Sequence, residues 1–141
     1  MRLTSPIVLL VLLAVAGCGG GGGDFTKDYN SAVRPLSELK ADLAGSSGQS
    51  NAAVSKEFDR LAGRARQTRE NLAGVEPPED ARDEMKKLLA GLDEVGADLT
   101  AVAKATRDGD PVKQTRASAR LVRSSGEVQR AETALQQAVE G

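Results

Sequence analysis

From Phe25 to Ala138 the apolar residues recur at intervals of four and three, and no window alternates apolar with polar residues as a strand would. Such spacing gathers the apolar side chains on one stripe of a helix, which is buried only against other helices. Four segments carry the pattern. The first runs from about Phe25 to Ala44, with Phe25, Tyr29, Ala32, Leu36, Leu39 and Leu43 on its stripe. Pro35 falls inside it, where a missing amide and a clash with the preceding turn predict a kink or a helix start. Gly45-Ser46-Ser47-Gly48 ends it.

The second segment, Asn51 to Ala73, has Ser50 or Asn51 to cap it and a stripe of Val54, Phe58, Leu61, Ala65, Thr68 and Leu72. Gly74 and Pro77-Pro78 terminate it. The third is expected to start near Pro78, with Glu79, Asp80, Asp83 and Glu84 at its positive end. Its stripe is Ala81, Met85, Leu88, Leu92, Val95, Leu99 and Val102. Gly109-Asp110-Pro111 supplies a closing glycine, a capping aspartate and a first-turn proline for the fourth segment. That segment carries Ala117, Leu121, Ser124, Val128, Ala131, Leu135 and Ala138.

With short connections, successive helices run in opposite senses. Stacking the stripes gives layers such as Leu36, Leu61, Leu92 and Val128. The expected fold is all-α, an up-down-up-down antiparallel four-helix bundle over residues 24–141. The rival is a looser pair of helical hairpins, because the last two helices are longer than the first two. Many stripe positions are Ala, Ser or Thr, which bury little area. Gly91, Gly96 and Gly126 fall inside helices at about 1 kcal/mol each relative to Ala. Close helix approach and modest stability are the two readings of those glycines.

Ahead of this body lies a different kind of segment. Met1-Arg2 makes a positive start, and Ile7 to Ala16 is an unbroken apolar run, too short for the roughly 20 residues of a membrane-spanning helix. Val15-Ala16-Gly17 is followed at once by Cys18, the only cysteine. This resembles the lipobox of bacterial lipoproteins, and the resemblance covers the first 18 residues. It implies that residues 1–17 are a signal peptide, with Val15, Ala16 and Gly17 read by the peptidase, and that Cys18 receives a diacylglyceryl group and becomes the mature N-terminus. It also implies export, and anchoring to the outer face of the plasma membrane or to an outer membrane. Two acyl chains hold stably where one is marginal. Gly19 to Gly23 then reads as a tether with a reach of about 12–14 Å. The helical part resembles small uncharacterised envelope lipoproteins of high-GC bacteria in style alone, which implies no activity.

Composition narrows the function classes. Loss of residues 1–17 from 141 leaves 124, with 18 bases against 20 acids, no basis for nucleic-acid binding. There is no His and no Trp, and Cys18 is committed to lipid, so the usual zinc, copper, haem and Glu-x-x-His di-iron sites lack ligands. Ser-His and Cys-His nucleophiles are impossible, and neither Gly91 nor Gly96 belongs to a phosphate loop. No cofactor beyond the lipid is expected, and the chain is not expected to be an enzyme. Ser124-Ser125-Gly126 reads as a stripe serine before it reads as a nucleophile turn. The acids at 79–84 read as dipole complements, with a weak calcium site as the remainder.

Charge divides unevenly. Glu76 to Asp110 holds ten acids and five bases, while Asn51 to Val75 and Pro111 to Gly141 each hold five bases and three acids. One reading is that the acidic third helix is held electrostatically between its neighbours. The other is that Arg64, Arg66 and Arg69, or Arg116, Arg120 and Arg123, form a basic surface for an anionic polymer or lipid. Two functions follow: a non-enzymatic module that meets an envelope protein or anionic polymer, or a small-molecule or ion carrier using a gap in the core. In the antiparallel arrangement the Gly45–Ser50 and Gly109–Pro111 turns lie at the end away from the tether.

Overall fold

A computed structural model describes residues 23–43 and 50–141, with side chains described for 24–35 and 50–141. Cys18, the residues before it and the Gly45–Gly48 break lie outside the described residues, as do the side chains of Leu36, Leu39 and Leu43. The described chain is all helical: α1 (Gly23–Leu43), α2 (Asn51–Ala73), a 3-10 turn (Glu79–Ala81), α3 (Arg82–Asp108) and α4 (Pro111–Glu140).

The helix ends are set by local chemistry. The Ser50 hydroxyl accepts from the Ala53 amide, so Ser50 is the cap of α2. Gly109 takes the left-handed conformation, φ 65°, which costs a side-chain-bearing residue and lets its amide close α3. Asp110 accepts from the Val112 and Lys113 amides at 3.1 and 3.0 Å, with Pro111 in the first turn of α4. Two expectations are corrected. Pro35 does not start α1, which begins at Gly23 and continues past it, so one glycine of the expected tether is helical. Helix α3 begins at Arg82 rather than near Pro78, because the 3-10 turn intervenes and buries Ala81.

Helix α3 is the central element. It packs along α2 on one side and α4 on the other, while α1 packs on α2. Accordingly all seven expected α3 stripe residues are buried, and Gly91, Gly96, Ala103 and Thr106 are buried as well. On α2, Leu61, Ala65, Thr68 and Leu72 are buried, but Val54 and Phe58 are only half-buried; Ser55 and Ala62 take the inward positions instead. On α4, Leu121 and Ala138 are half-buried and the other five stripe residues are buried.

Cross-helix partners give the register. The Ser55 hydroxyl donates to the Ala103 carbonyl at 2.9 Å and Asp59 meets Arg107, both joining the start of α2 to the end of α3, while Arg69 in the last part of α2 meets Asp93 nearer the middle of α3. A Cβ on Gly96 would stand 3.9 Å from that of Ala65. The expected layer with Leu61 beside Leu92 is therefore out of step. Leu61 lies level with Leu99, and the α2 residue level with Leu92 is Thr68. The error has the direction given by a helix that starts later than Pro78. Between α3 and α4, Val128 lies against Gly91, the residue before its expected neighbour Leu92.

Thr68 is fully buried and its hydroxyl has no hydrogen-bond partner among the described residues. Desolvating a hydroxyl without a partner costs about 1–3 kcal/mol. Thr68→Val is thus expected to raise stability by about 1 kcal/mol in a denaturant titration, and a loss would show that the hydroxyl is satisfied in solution.

The interior glycines also separate. A Cβ on Gly91 would stand 2.9 Å from Cγ2 of Val128, a stiff β-branched side chain, whereas one on Gly63 or Gly126 would meet nothing within 4 Å. Gly91 is where α3 and α4 approach most tightly for a glycine. Gly63→Ala and Gly126→Ala should each stabilise by about 1 kcal/mol through helix propensity. Gly91→Ala should destabilise, and a Val128→Ala background should remove most of that loss. Equal effects at all three sites in thermal melts would contradict this.

Candidate functional site

The most connected polar cluster joins α3 to α4. Asp98 projects from α3 with its side chain 16 % exposed, and its carboxylate accepts from the Ser124 hydroxyl at 2.9 Å while pairing with Arg120 Nε at 3.3 Å. The Leu121 carbonyl lies 3.2 Å from the same hydroxyl, but a serine has one proton to give and Asp98 is nearer. Ser124 is thus a stripe serine satisfied across the helix interface. Its polar neighbours are a carboxylate and a guanidinium, a pairing that fixes helices against each other.

A shallow groove of about 450 Å3 runs beside this cluster, lined by Glu94, Asp98, Arg120, Arg123 and Glu127. A second, of about 400 Å3, continues along the same helix pair past Lys87, Gly91 and Arg130 and shares Glu94 and Glu127. Both grooves mix acids with bases, so they compensate their own charge and present no single-sign field to an ion.

The two arginine trios lie on α2 (Arg64, Arg66 and Arg69) and on α4 (Arg116, Arg120 and Arg123). Arg69 pairs with Asp93 of α3 at 3.2 Å and Arg120 with Asp98, so one member of each trio is engaged with the acidic helix. Arg64 also has a partner, and the stem of Arg66 lies along Gly96. Arg123 lines the groove, and Arg116 is exposed. The third cross-helix pair is Arg107 with Asp59 at 2.6 Å. These pairs favour the reading in which α3 is held electrostatically between its neighbours, at a few tenths of a kcal/mol for each exposed pair. The acidic partners Asp59, Asp93 and Asp98 were not visible in sequence. The signal available was a serine on an apolar stripe, which needs an acceptor from a facing helix.

Among the acids at 79–84, Asp83 pairs with Lys86 and Glu84 with Lys87. The bond from Glu84 holds the Lys87 ammonium above its usual range. No group of three or more His, Cys, Asp or Glu is placed to hold a metal ion among the described residues. On α1, burial raises the Tyr29 phenol well above its usual range and the carboxylate of Glu132 adds to this, so Tyr29 is protonated at any physiological pH.

Asp110 offers a pH test of the α3–α4 turn. The Lys113 and Val112 amides hold its carboxyl below the usual carboxylate range, with the Lys113 ammonium adding to the effect. A lowered folded-state pKa stabilises the fold above the unfolded value, about 3.9, and the gain is lost as pH falls through the folded value. Asp110→Asn keeps a capping oxygen without the titration. Wild type should therefore lose stability relative to Asp110→Asn as pH drops below about 4, and a constant difference in urea midpoints from pH 6 to 2.5 would reject this.

No family model matches the chain, and no curated protein or solved structure is similar to it. Among the described residues no helix is long and apolar enough to cross a membrane.

Proposed function

We propose that this chain is a lipid-anchored protein of the bacterial envelope whose helical body is a non-enzymatic interaction or structural module. The observation that carries the reading is Val15-Ala16-Gly17-Cys18 directly behind the apolar run Ile7–Ala16. Residues 1–17 act as the signal peptide, and Cys18 carries the diacylglyceryl group that holds the protein on its membrane. The body is an up-down-up-down antiparallel bundle. Supporting that arrangement are the pairs Ser55–Ala103 and Arg69–Asp93, opposed in order between α2 and α3, and the pairs Asp98–Ser124 and Thr106–Gln114, opposed in order between α3 and α4.

The interaction reading is favoured over a carrier because the two grooves lie open on the α3–α4 surface, where a carrier needs an enclosed apolar gap in the core. Mass spectrometry of the protein from its native membrane tests the anchor. The expected N-terminal peptide begins at Cys18 and carries a thioether-linked diacylglyceryl group; an unmodified Cys18 thiol in the membrane fraction would reject it.

A further inference from the structure

Helix α4 is 30 residues long, and one of its outward faces is free of charge over most of that length. At 100° per residue, Thr115, Ala119, Val122, Gly126, Gln129 and Thr133 fall within about 60° of one line, in steps of four and three. Val122, at the middle of the row, is 74 % exposed, a large apolar side chain standing in water. A Cβ on Gly126 would meet nothing within 4 Å. The Thr115 and Thr133 hydroxyls donate to the Pro111 and Gln129 carbonyls of their own helix, at 2.9 and 3.0 Å, so neither donor needs water. The face opposite, by contrast, is the one that packs on α3. A solvated face of a helix this charged ordinarily carries Lys, Arg or Glu, and loss of charge at the centre of a surface is a property of interfaces.

We propose that this face of α4 is the contact between two copies of the chain lying side by side in the same sense on one membrane. The four-three spacing is that of a left-handed helix pair, with Thr115, Val122 and Gln129 in d positions and Ala119, Gly126 and Thr133 in a positions. For two copies held on one membrane, the flanks decide the direction. The residues following the d positions are Arg116, Arg123 and Arg130, and those preceding the a positions are Ser118, Ser125 and Glu132. Two helices running the same way set Arg123 beside Ser118 and Arg130 beside Ser125 of the other copy. Two helices running opposite ways set arginines against arginines. The like-charge cost therefore selects the parallel pair. The direction also rests on the lipid anchor proposed above: four residues, at most about 18 Å of chain, separate Cys18 from the start of α1, so two anchored copies leave the membrane alike. Confinement to one surface raises their effective concentration, which a seam with a single Val requires.

The test uses the full-length protein in its native membrane with Val122→Cys. Disulfide formation needs Cα atoms within about 7 Å, which a d position meets in a parallel pair. Lys113→Cys, on the far side of α4, is the control. Mild oxidation should trap dimer with Val122→Cys at least about tenfold more than with Lys113→Cys, and adding Ala119→Arg should abolish it while the thermal melt stays unchanged. Equal trapping by the two cysteines, or none by Val122→Cys, would overturn the proposal. Intact mass at Cys18, measured on the same samples, reports the anchor separately, and the comparison of the two cysteines decides the seam in either case.

Discussion

On the proposed anchor, Cys18→Ser is expected to leave an uncleaved precursor or a form released from the membrane. The physical reason is that no other attachment of comparable strength is apparent in the sequence. Burial of acyl chain gains about 0.8 kcal/mol per CH2, so a two-chain anchor is effectively permanent on the timescale of a fractionation. A serine in its place forms no thioether. The dedicated peptidase acts on the lipidated cysteine, so the variant should accumulate with its apolar run Ile7–Ala16 still attached, or be released by another peptidase without lipid. Alkaline carbonate extraction separates these outcomes: wild type stays in the pellet, processed, and Cys18→Ser appears as a larger precursor or in the soluble fraction. A variant of wild-type size that resists extraction as wild type does would defeat the anchor.

Local chemistry was legible in the sequence and relative placement was not. Helix α2 runs from Asn51 to Ala73 as its capping and breaking residues require, and Gly109-Asp110-Pro111 divides α3 from α4, because caps depend on residues within one turn of each other. The register of α2 on α3 depends on where the connection ends, and nothing in Pro77-Pro78 announces that Glu79–Ala81 forms a 3-10 turn before α3 begins. That shift put Thr68 where Leu61 was expected. The glycines show the same division. Gly91 and Gly126 have equal propensity for a helix, and only the position of Val128 makes the first one necessary.

The candidate site follows the same rule. That an acidic α3 lies between two basic helices could be read from composition; that Asp98 takes both Ser124 and Arg120, and that Arg69 is occupied by Asp93, depends on which residues face each other. The charge-free row on α4 was in the sequence throughout. It became a surface only once the buried stripe of α4 was known to lie elsewhere on the helix and Val122 to stand in solvent.

Leu92→Ala should be among the most damaging single truncations in the body. Large-to-small changes in a core cost about 2–5 kcal/mol, and the spread reflects how far the surroundings can close over the space left. Leu92 is 1 % exposed on the helix that packs along both α2 and α4, so its loss is felt by those two helices together. Its neighbourhood is poorly able to close. Val128 already fills the space beside Gly91 that a side chain would take, and Thr68 at the same level of α2 brings a short side chain. The cost is therefore expected in the upper part of the range, about 4 kcal/mol, out of a total on the order of 10 kcal/mol for a domain of this size. Leu121→Ala provides the contrast, since Leu121 is half-buried on α4 and water can fill the space it leaves; less than half the loss is expected there. Urea titrations of the two variants give both values under one condition, and a smaller loss for Leu92→Ala than for Leu121→Ala would mean that α3 is not the helix on which the fold is centred.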